Sequence, residues 1–504
     1  MSKVSKAGKR RLQQKVLSEV QVRTPLRQTM PERVVAYLGP TNSGKTYQAM
    51  QELIQNGRGV YAAPLRMLAR EAYGRLSQEL GADQVGLRTG EESINQDAPI
   101  MCVTAEMAPM RGELLVLDET HWAADATRGW AWSRLLAGAE YKQMVLLGSG
   151  DVLPMLQTCF GECLQLSVHE RLGPLEWIGS VQLTELQAGD AVIAYSRRSV
   201  LHAARELAME YGSQRVALLY GAMPLASRID ELQRLREGKA DILVATDVLG
   251  HGMNLPLKRV LFSETEKWDG EQLRSLDPWE AGQVAGRAGR YGIYPAGEVG
   301  ALYGLTPYDP APKTIQAGLN PGIQTNQDPM LWAFSAIRRG RLRPQLADLG
   351  QVPGHLMCRA VEAWNEKAEH ELLSHPWLRA EDISPIKDRL QVIGSRLTAE
   401  LDHIPVQELW TLATGPLDPE VSAELLGDMA WALLGSADLQ RWLEQPVWTM
   451  SLEETEEYAQ VASTLRWFAE RFPGVGGIRQ NKAALAEQAA AARVTKLLRS
   501  LLQD

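Results

Sequence analysis

Val34-Val-Ala-Tyr-Leu38 runs directly into Gly39-Pro-Thr-Asn-Ser-Gly44-Lys45-Thr46, and a helical pattern follows. A short continuous apolar run bounded in this way reads as a buried strand. The eight residues after it fit the G-x-x-x-x-G-K-[ST] phosphate loop in the context that pattern requires, strand before and helix after. The residue types carry the chemistry. Successive backbone N–H groups curl round phosphate oxygens at a helix N-terminus, Lys45 reaches the β and γ oxygens, and the Thr46 hydroxyl ligates Mg²⁺. The nucleotide-binding set is therefore Gly39, Pro40, Thr41, Asn42, Ser43, Gly44, Lys45 and Thr46.

Outward from this strand, similar apolar runs recur at Gly59–Ala62, Leu114–Leu117, Met144–Leu147, Ala191–Ala194, Val216–Leu219, Ile242–Ala245 and Val260–Phe262, alternating with helical patterns. This spacing predicts repeated βαβ units with buried parallel strands. The runs fall in two groups of four on either side of residues 152–180, which predicts two α/β domains in tandem. After residue 305 a Pro/Gly-rich connector gives way to helical periodicity, clearest at Tyr458, Val461, Ala462, Leu465, Phe468, Ala469 and Phe472. Ser451 with Glu454 forms a capping box at its start and Pro473-Gly474 stops it. The expected organisation is a basic leader (1–33), a first α/β domain (34–165), a second (166–305) and an all-helical C-terminal region (306–504).

The 504 residues are 45% hydrophobic and 23% charged, an ordinary globular composition that sets global disorder aside. No run approaches the length of a membrane span and no secretory h-region opens the chain. The four cysteines include no C-x-x-C pair, so they read as buried free thiols of a reducing compartment and not as a zinc site. Net charge is −8, yet residues 1–33 hold nine Lys/Arg against Glu19 and Glu32. Any phosphate contact must then come from local patches. The leader is open to three readings: a phosphate-binding arm, a solvated tail, or a transit peptide. A second basic run, Arg338, Arg339, Arg341 and Arg343, lies in the helical region and is a further candidate phosphate guide.

Leu114–Leu117 delivers Asp118-Glu119-Thr120-His121 at a strand's C-terminal end, where ligands sit in parallel sheets. Asp118 would hold Mg²⁺, directly or through water, and Glu119 would orient and deprotonate the attacking water. Gln283-Val-Ala-Gly286-Arg287-Ala-Gly289-Arg290 supplies the positive charge that phosphoryl transfer needs, with Arg287 and Arg290 on one face if the segment is helical. Gly286 and Gly289 would weaken such a helix unless something approaches closely. Both arginines read as fingers supplied by the second domain, with ATP in the cleft between domains.

GPTNSGKT (39–46), APLRMLARE (63–71), LRTGEE (87–92), DETH (118–121), RGWAWSRLLAG (128–138), LYGAMP (219–224), ILVATDVLGHGMNLP (242–256) and QVAGRAGR (283–290) resemble, in order, the motifs of a superfamily-two DExH-box helicase. More narrowly, GPTNSGKT and RGWAW are similar to the mitochondrial degradosome RNA helicases, the suppressor-of-var-three family, and their bacterial relatives. AGLNP (317–321) and the HIP (403–405) and RFP (471–473) turns extend the likeness into the helical region. The resemblance implies two RecA-like domains and ATP- and Mg²⁺-dependent 3′ to 5′ translocation with unwinding, RNA being the expected substrate. It places backbone contacts to nucleic acid on Pro64, Leu65, Arg66, Thr89, Gly90, Thr104, Ser196 and Thr246, with Asp247, Gly252 and Asn254 linking them to the ATP cleft. Gly252 joins the nucleotide set, and His121 and Gln283 the catalytic one.

The mitochondrial members typically carry Gln where this chain has His121, and many carry a large domain ahead of the first RecA fold. The expectation is a bacterial-type, cytoplasmic member, with a mitochondrial location as the alternative, no membrane association, single-stranded or overhang-bearing RNA as partner and an exoribonuclease as a further one. DNA or hybrid duplexes, and an ATP-gated clamp that recruits a nuclease without unwinding, stay open as alternatives. No aromatic-Gln adenine clamp is evident upstream of Gly39, and the third helicase motif, near Leu146–Asp151, fits loosely.

Overall fold

The computed structural model describes residue 14 and residues 18–23, 26–90, 92–250, 255–268, 272–289, 292–305, 309–319, 339–375, 377–398, 400–415 and 423–503. The first sheet has eight strands: β1 (Arg33–Leu38), β2 (Gly59–Ala63), β3 (Val85–Arg88), β4 (Ser93–Ile94), β5 (Ile100–Thr104), β6 (Arg111–Leu117), β7 (Glu140–Gly148) and β8 (Leu164–Val168). They lie in the order β4-β3-β5-β2-β6-β7-β1-β8, all pairs parallel except β3 with β4. Helices α1 (Lys45–Asn56), α2 (Arg66–Leu80), α3 (Gly129–Gly138) and α4 (Leu153–Phe160) cover it.

The second sheet has six strands, β9 (Leu175–Val181), β10 (Asp190–Ile193), β11 (Val216–Leu219), β12 (Ile242–Ala245), β13 (Arg259–Phe262) and, after the hairpin β14 (Glu266–Trp268) and β15 (Leu273–Ser275), β16 (Gly297–Leu302). Their order is β11-β12-β10-β13-β16-β9, parallel throughout. Helices α5 (Arg197–Tyr211), α6 (Leu225–Arg236), α7 (Pro278–Ala285) and α8 (Pro312–Leu319) accompany it. The period of two along each central strand explains both cores. Val34, Ala36 and Leu38 enter one cluster and Val35 and Tyr37 the other; Ala191 and Ile193 separate from Val192 and Ala194 in the same way. A strand buried on both faces must be apolar throughout.

These are two RecA-like parallel sheets followed by a helical region, the architecture expected. Three expectations change in detail. The 165/166 boundary cuts β8, which pairs with β1, so the sheets are joined at residues 169–174. α8 lies beyond the expected end of the second domain but packs on α7, where a Cβ on Gly282 would come 2.8 Å from the Gly318 carbonyl oxygen. The last region, with helices α9 (Met357–Glu371), α10 (Ser384–Leu397), α11 (Val406–Ala413), α12 (Ala423–Leu433), α13 (Leu452–Arg471) and α14 (Gln480–Leu501), is not purely helical. Gly340–Leu342 (β17) and Leu378–Ala380 (β18) form a two-stranded parallel ladder against α3.

That ladder also corrects the reading of the arginine run. Arg343 pairs with the buried Glu381, Nε to Oε2 at 2.6 Å, and its guanidinium stacks 4.5 Å from the Trp130 ring. Arg341 donates to the Ala124 carbonyl at 3.4 Å. Both fasten the C-terminal region to the first domain; Arg338 lies outside the described residues. The leader is likewise no free tail from residue 18 onward. Val20 is buried, Gln21 N–H donates to the Asp348 carbonyl at 2.8 Å, Arg27 lies 4.3 Å over the Phe160 ring, and Arg33 pairs with Glu52 at 2.6 Å. The C-terminal region shares a core with both domains: Trp364, Met429 and Phe468 join the cluster of the first sheet, and Val494 and Leu498 join the second.

Candidate nucleotide cleft and nucleic-acid face

At the carboxyl end of β1 the chain turns through Gly39, where a Cβ would lie 2.1 Å from the His169 carbonyl oxygen, so only glycine lets the loop begin there. Lys45 opens α1, and its Nζ donates to the carbonyls of Gly39 (2.8 Å) and Pro40 (2.6 Å) and to Ser43 Oγ (3.0 Å). Burial pushes its ammonium down to about 8, against the pull of Glu119 and Asp118. A cation so poised is stabilised by any anion entering the loop.

β6 delivers the two carboxylates. Asp118 is buried; Tyr61 Oη donates to its Oδ2, and the Glu119 N–H donates to its Oδ1 at 2.9 Å. Burial and then Glu119 push the Asp118 carboxyl up to about 6. Glu119 holds φ at +49°, a left-handed conformation that side chains rarely adopt and that functional sites tolerate. His121 is buried with Nδ1 3.4 Å from Glu119 Oε2. Thr120 Oγ1 donates to the Leu147 carbonyl at 3.0 Å, tying the loop to the end of β7.

The second domain closes the cleft. A cavity of about 250 Å³ is lined by the loop residues Gly39, Thr41, Asn42, Ser43, Gly44, Lys45 and Thr46, by Asp118 and Glu119, and by Gln283, Gly286 and Arg287 from across the interface. Residues from both motif sets thus meet in one space. The helical reading of 283–290 needs correcting: α7 stops at Ala285, and Gly289, at φ +70°, turns where a Cβ would lie 2.3 Å from the Gly297 nitrogen. Arg287 faces Glu119, Asp118 and Glu71, and burial lowers its guanidinium below the usual value. Arg290 and Gly252 lie outside the described residues.

Among the cavity residues to which the sequence reading gave no role are Tyr61 on β2, Glu71 on α2 and Ser149 after β7. Ser149 belongs to the loosely fitting third motif, and its Oγ donates to Asp151. Gly148 could have signalled it, since a Cβ there would meet Thr120 Oγ1 at 2.4 Å.

The residues expected to hold nucleic acid follow the carboxyl ends of other strands: Pro64, Leu65 and Arg66 after β2, Thr89 and Gly90 after β3, Thr104 ending β5, Ser196 after β10 and Thr246 after β12. Ser196 is exposed and caps α5, accepting from Ser199 N–H at 2.9 Å. Thr89 and Thr246 are buried, and Thr89 Oγ1 accepts from Glu92 N–H at 3.1 Å. Helix α13 joins this edge. Glu456 on α13 is buried, pairs with Arg197 Nε at 2.7 Å and accepts from Tyr220 Oη at 2.5 Å, while Arg471 at the far end of α13 approaches the Gly90 carbonyl at 3.5 Å. Arg471 lies in the field of Arg88 and Arg66, and Arg228, held by the Met223 carbonyl at 2.8 Å, lies in that of Arg66. Arginines of both domains and of α13 therefore converge.

Residues 23–170 match the family model described as the DEXQ-box helicase domain of Suv3, and residues 175–292 match the helicase conserved C-terminal domain. The chain is similar to the mitochondrial ATP-dependent RNA helicase SUV3 of Saccharomyces paradoxus, at 37% identity over 76% of this chain and 52% of that protein. It is similar to the mitochondrial DExH-box ATP-dependent RNA helicase DExH16 of Arabidopsis thaliana, at 28% identity over 89% of this chain and 77% of that protein. Among solved structures it is similar to S. cerevisiae Dbp5 bound to RNA and ADP BeF3, at 15% identity and a TM-score of 0.43 over 61% of this chain and 86% of that one. The chain spans about half the length of the yeast SUV3 relatives it matches.

Proposed function

We propose that this chain is a Suv3-type DEXQ-box member of the superfamily-two helicases, an ATP-driven RNA helicase moving 3′ to 5′; the match of residues 23–170 to the DEXQ-box domain of Suv3 and of residues 175–292 to the helicase conserved C-terminal domain supports the reading. One observation carries the reading. Lys45, Asp118 and Glu119 of the first domain and Gln283 and Arg287 of the second line a single cavity. In-line phosphoryl transfer needs this division: a cradle and a water-orienting base on one side, transition-state charge from the other. Glu119 orients and deprotonates the water, Lys45 leaves its loop carbonyls for the β and γ oxygens, and Arg287 meets the charge that develops on the γ-phosphoryl. Arg290 and Gly252 are assigned their roles by resemblance.

Mg²⁺ fits this donor set. Thr46 and Asp118 line the same cavity, and the raised Asp118 carboxyl marks a buried acid that a cation would ionise. When bound it would neutralise charge on the β and γ oxygens.

RNA as substrate is supported by the position of Pro64, Leu65, Arg66, Thr89, Gly90, Thr104, Ser196 and Thr246 on one edge of the two sheets. Small hydroxyls and backbone groups grip a strand without reading its bases. The convergence of Arg66, Arg88, Arg228 and Arg471 adds the positive field that a phosphate backbone seeks. A nuclease partner and a cytoplasmic location belong to the same proposal; the free cysteines fit a reducing compartment. No helix among the described residues is long and apolar enough to cross a membrane.

The test is strand displacement on RNA, DNA and hybrid duplexes carrying either overhang, with steady-state ATPase in parallel. RNA-stimulated turnover and displacement from a 3′ overhang, both abolished by Glu119→Gln, are expected. Binding of RNA with ATP but no displacement of any duplex overturns the helicase reading in favour of a clamp.

A further inference from the structure

Residues 286–289, which carry Arg287, are held by three groups that lie outside their own domain's sheet. Arg171, in the segment joining the sheets, directs Nη2 to the carbonyl of Gly286 at 3.2 Å and to that of Ala288, the residues on either side of Arg287. Asn42 of the phosphate loop donates to the Gly289 carbonyl at 2.9 Å. Thr41 fills the space beside Gly286.

The joining segment is itself fixed to the first domain. His169 N–H donates to the Leu38 carbonyl at 2.7 Å and Leu172 N–H to the Asn42 carbonyl at 2.9 Å. Arg171 therefore belongs mechanically to the first domain, and its bonds reach into the second. Its Nη1 also donates to Gly173, and its buried Nε has no hydrogen-bond partner among the described residues. Burial and the nearby Arg287 push its guanidinium down to about 10. Two guanidiniums this close repel one another, a cost that an anion between the domains relieves. Nη2 serves the Gly286 and Ala288 carbonyls while Nη1 serves Gly173, so the planar guanidinium spreads its donors over three carbonyls, a spread that a compact lysine ammonium does not match.

We propose that Arg171 is a positioning residue for the hydrolysis assigned above: by gripping the carbonyls of Gly286 and Ala288, the residues before and after Arg287, it sets the aim of that guanidinium and couples closure of the second domain to the phosphate loop. The proposal rests on the ATP-hydrolysis reading. Arg171 lines neither the cavity nor any reacting group, so it acts only through the backbone that carries Arg287. A misplacement of about 1 Å in such a group costs on the order of 100-fold in rate.

The experiment uses the full chain with saturating RNA and ATP. Arg171→Ala should lower kcat by roughly 10- to 100-fold with KM for ATP changed less than about threefold. It should weaken ADP–aluminium fluoride, which mimics the transition state, while leaving ADP affinity near wild type. Combined with Arg287→Ala it should add little further loss, because both act on one interaction. Arg171→Lys keeps the stem and charge; it should fold as wild type and recover only part of kcat, and it reads the same quantities where the alanine variant melts early. Equal loss of ADP and ADP–aluminium fluoride binding, additive losses with Arg287→Ala, or full activity in either variant overturns the proposal. Loss of turnover in Glu119→Gln tests the hydrolysis reading separately, so failure of one is distinguishable from failure of the other.

Discussion

Thr41 Oγ1 occupies the space beside Gly286 so closely that a Cβ on that glycine would come within 1.7 Å of it. Gly286 has φ −61°, an ordinary helical value, so its requirement for glycine is steric and comes from the opposite domain. Gly286→Ala should leave each domain folded, with little change in melting temperature, yet hold the cleft open. Turnover should fall about 100-fold or more, and Thr41→Ala in the same chain should restore part of it. Steady-state ATPase on the single and double variants checks this, and a single variant as active as wild type would show that the domains close by another route.

Lys45 and Glu119 should separate binding from chemistry. Lys45→Ala removes the ammonium that bridges Gly39, Pro40 and Ser43 and that phosphates would recruit, so ATP affinity should drop by at least about tenfold. Glu119→Gln keeps shape and loses the base, so ATP should bind near-normally with kcat reduced by orders of magnitude. Calorimetric titration beside ATPase assays distinguishes them. Normal turnover in Glu119→Gln would remove it from the role of water-orienting base.

The thiols offer a check on burial by pH. Burial pushes Cys102 and Cys159 up to about 12, so both stay thiols near pH 8 in the folded chain. Cys163 is exposed. Alkylation at pH 8 should therefore modify Cys163 first, with Cys102 and Cys159 protected until the protein is unfolded. Peptide mass spectrometry after a timed iodoacetamide pulse, native and in denaturant, reads the order. Early modification of Cys102 would contradict its place inside the first sheet.

All eight apolar runs read as strands are strands, because sheets covered on both faces demand apolar residues at consecutive positions. Of the strands that escaped, Ile100–Thr104 has the same apolar continuity, but two others lack it. Leu175–Val181 contains Gly179 at φ +80° beside a register shift opposite Val299 and Gly300, and Leu164–Val168 alternates along a sheet edge. In the cleft, the phosphate loop and Asp118-Glu119 were legible because phosphate chemistry fixes residue types and spacing. Tyr61, Ser149 and Arg171 were not, since each arrives through tertiary contacts that leave no local pattern. The glycines of 286 and 289 were read as marks of close approach, and the neighbours they meet are Thr41 and the backbone at Gly297. Arg343 of the run Arg338, Arg339, Arg341 and Arg343 was illegible for the opposite reason: a basic residue in an acidic chain looks like a phosphate guide until Glu381 and Trp130 are seen to hold it.

Two arginines of the C-terminal region should therefore behave in opposite ways. Arg471 stands at the end of α13, whose other end is anchored to the second domain through Glu456; their separation of 15 positions spans about 22 Å at the α-helical rise. It approaches Gly90 beside Arg66 and Arg88, and its acidic neighbour is Glu470 at 3.5 Å. If it holds a phosphate, Arg471→Ala should weaken RNA binding for all sequences alike and reduce the slope of log affinity against log salt by about 0.7. Arg343 already spends its charge on Glu381, so Arg343→Ala should leave that slope unchanged. Removing it strands a buried carboxylate, and stability should fall by about 1.5–3 kcal/mol, the range for hydrogen bonds to charged groups. RNA titrations at several salt concentrations together with thermal melts test both. A slope that changes with Arg343 and not with Arg471 would move the strand's path off α13 and onto the β17–β18 ladder.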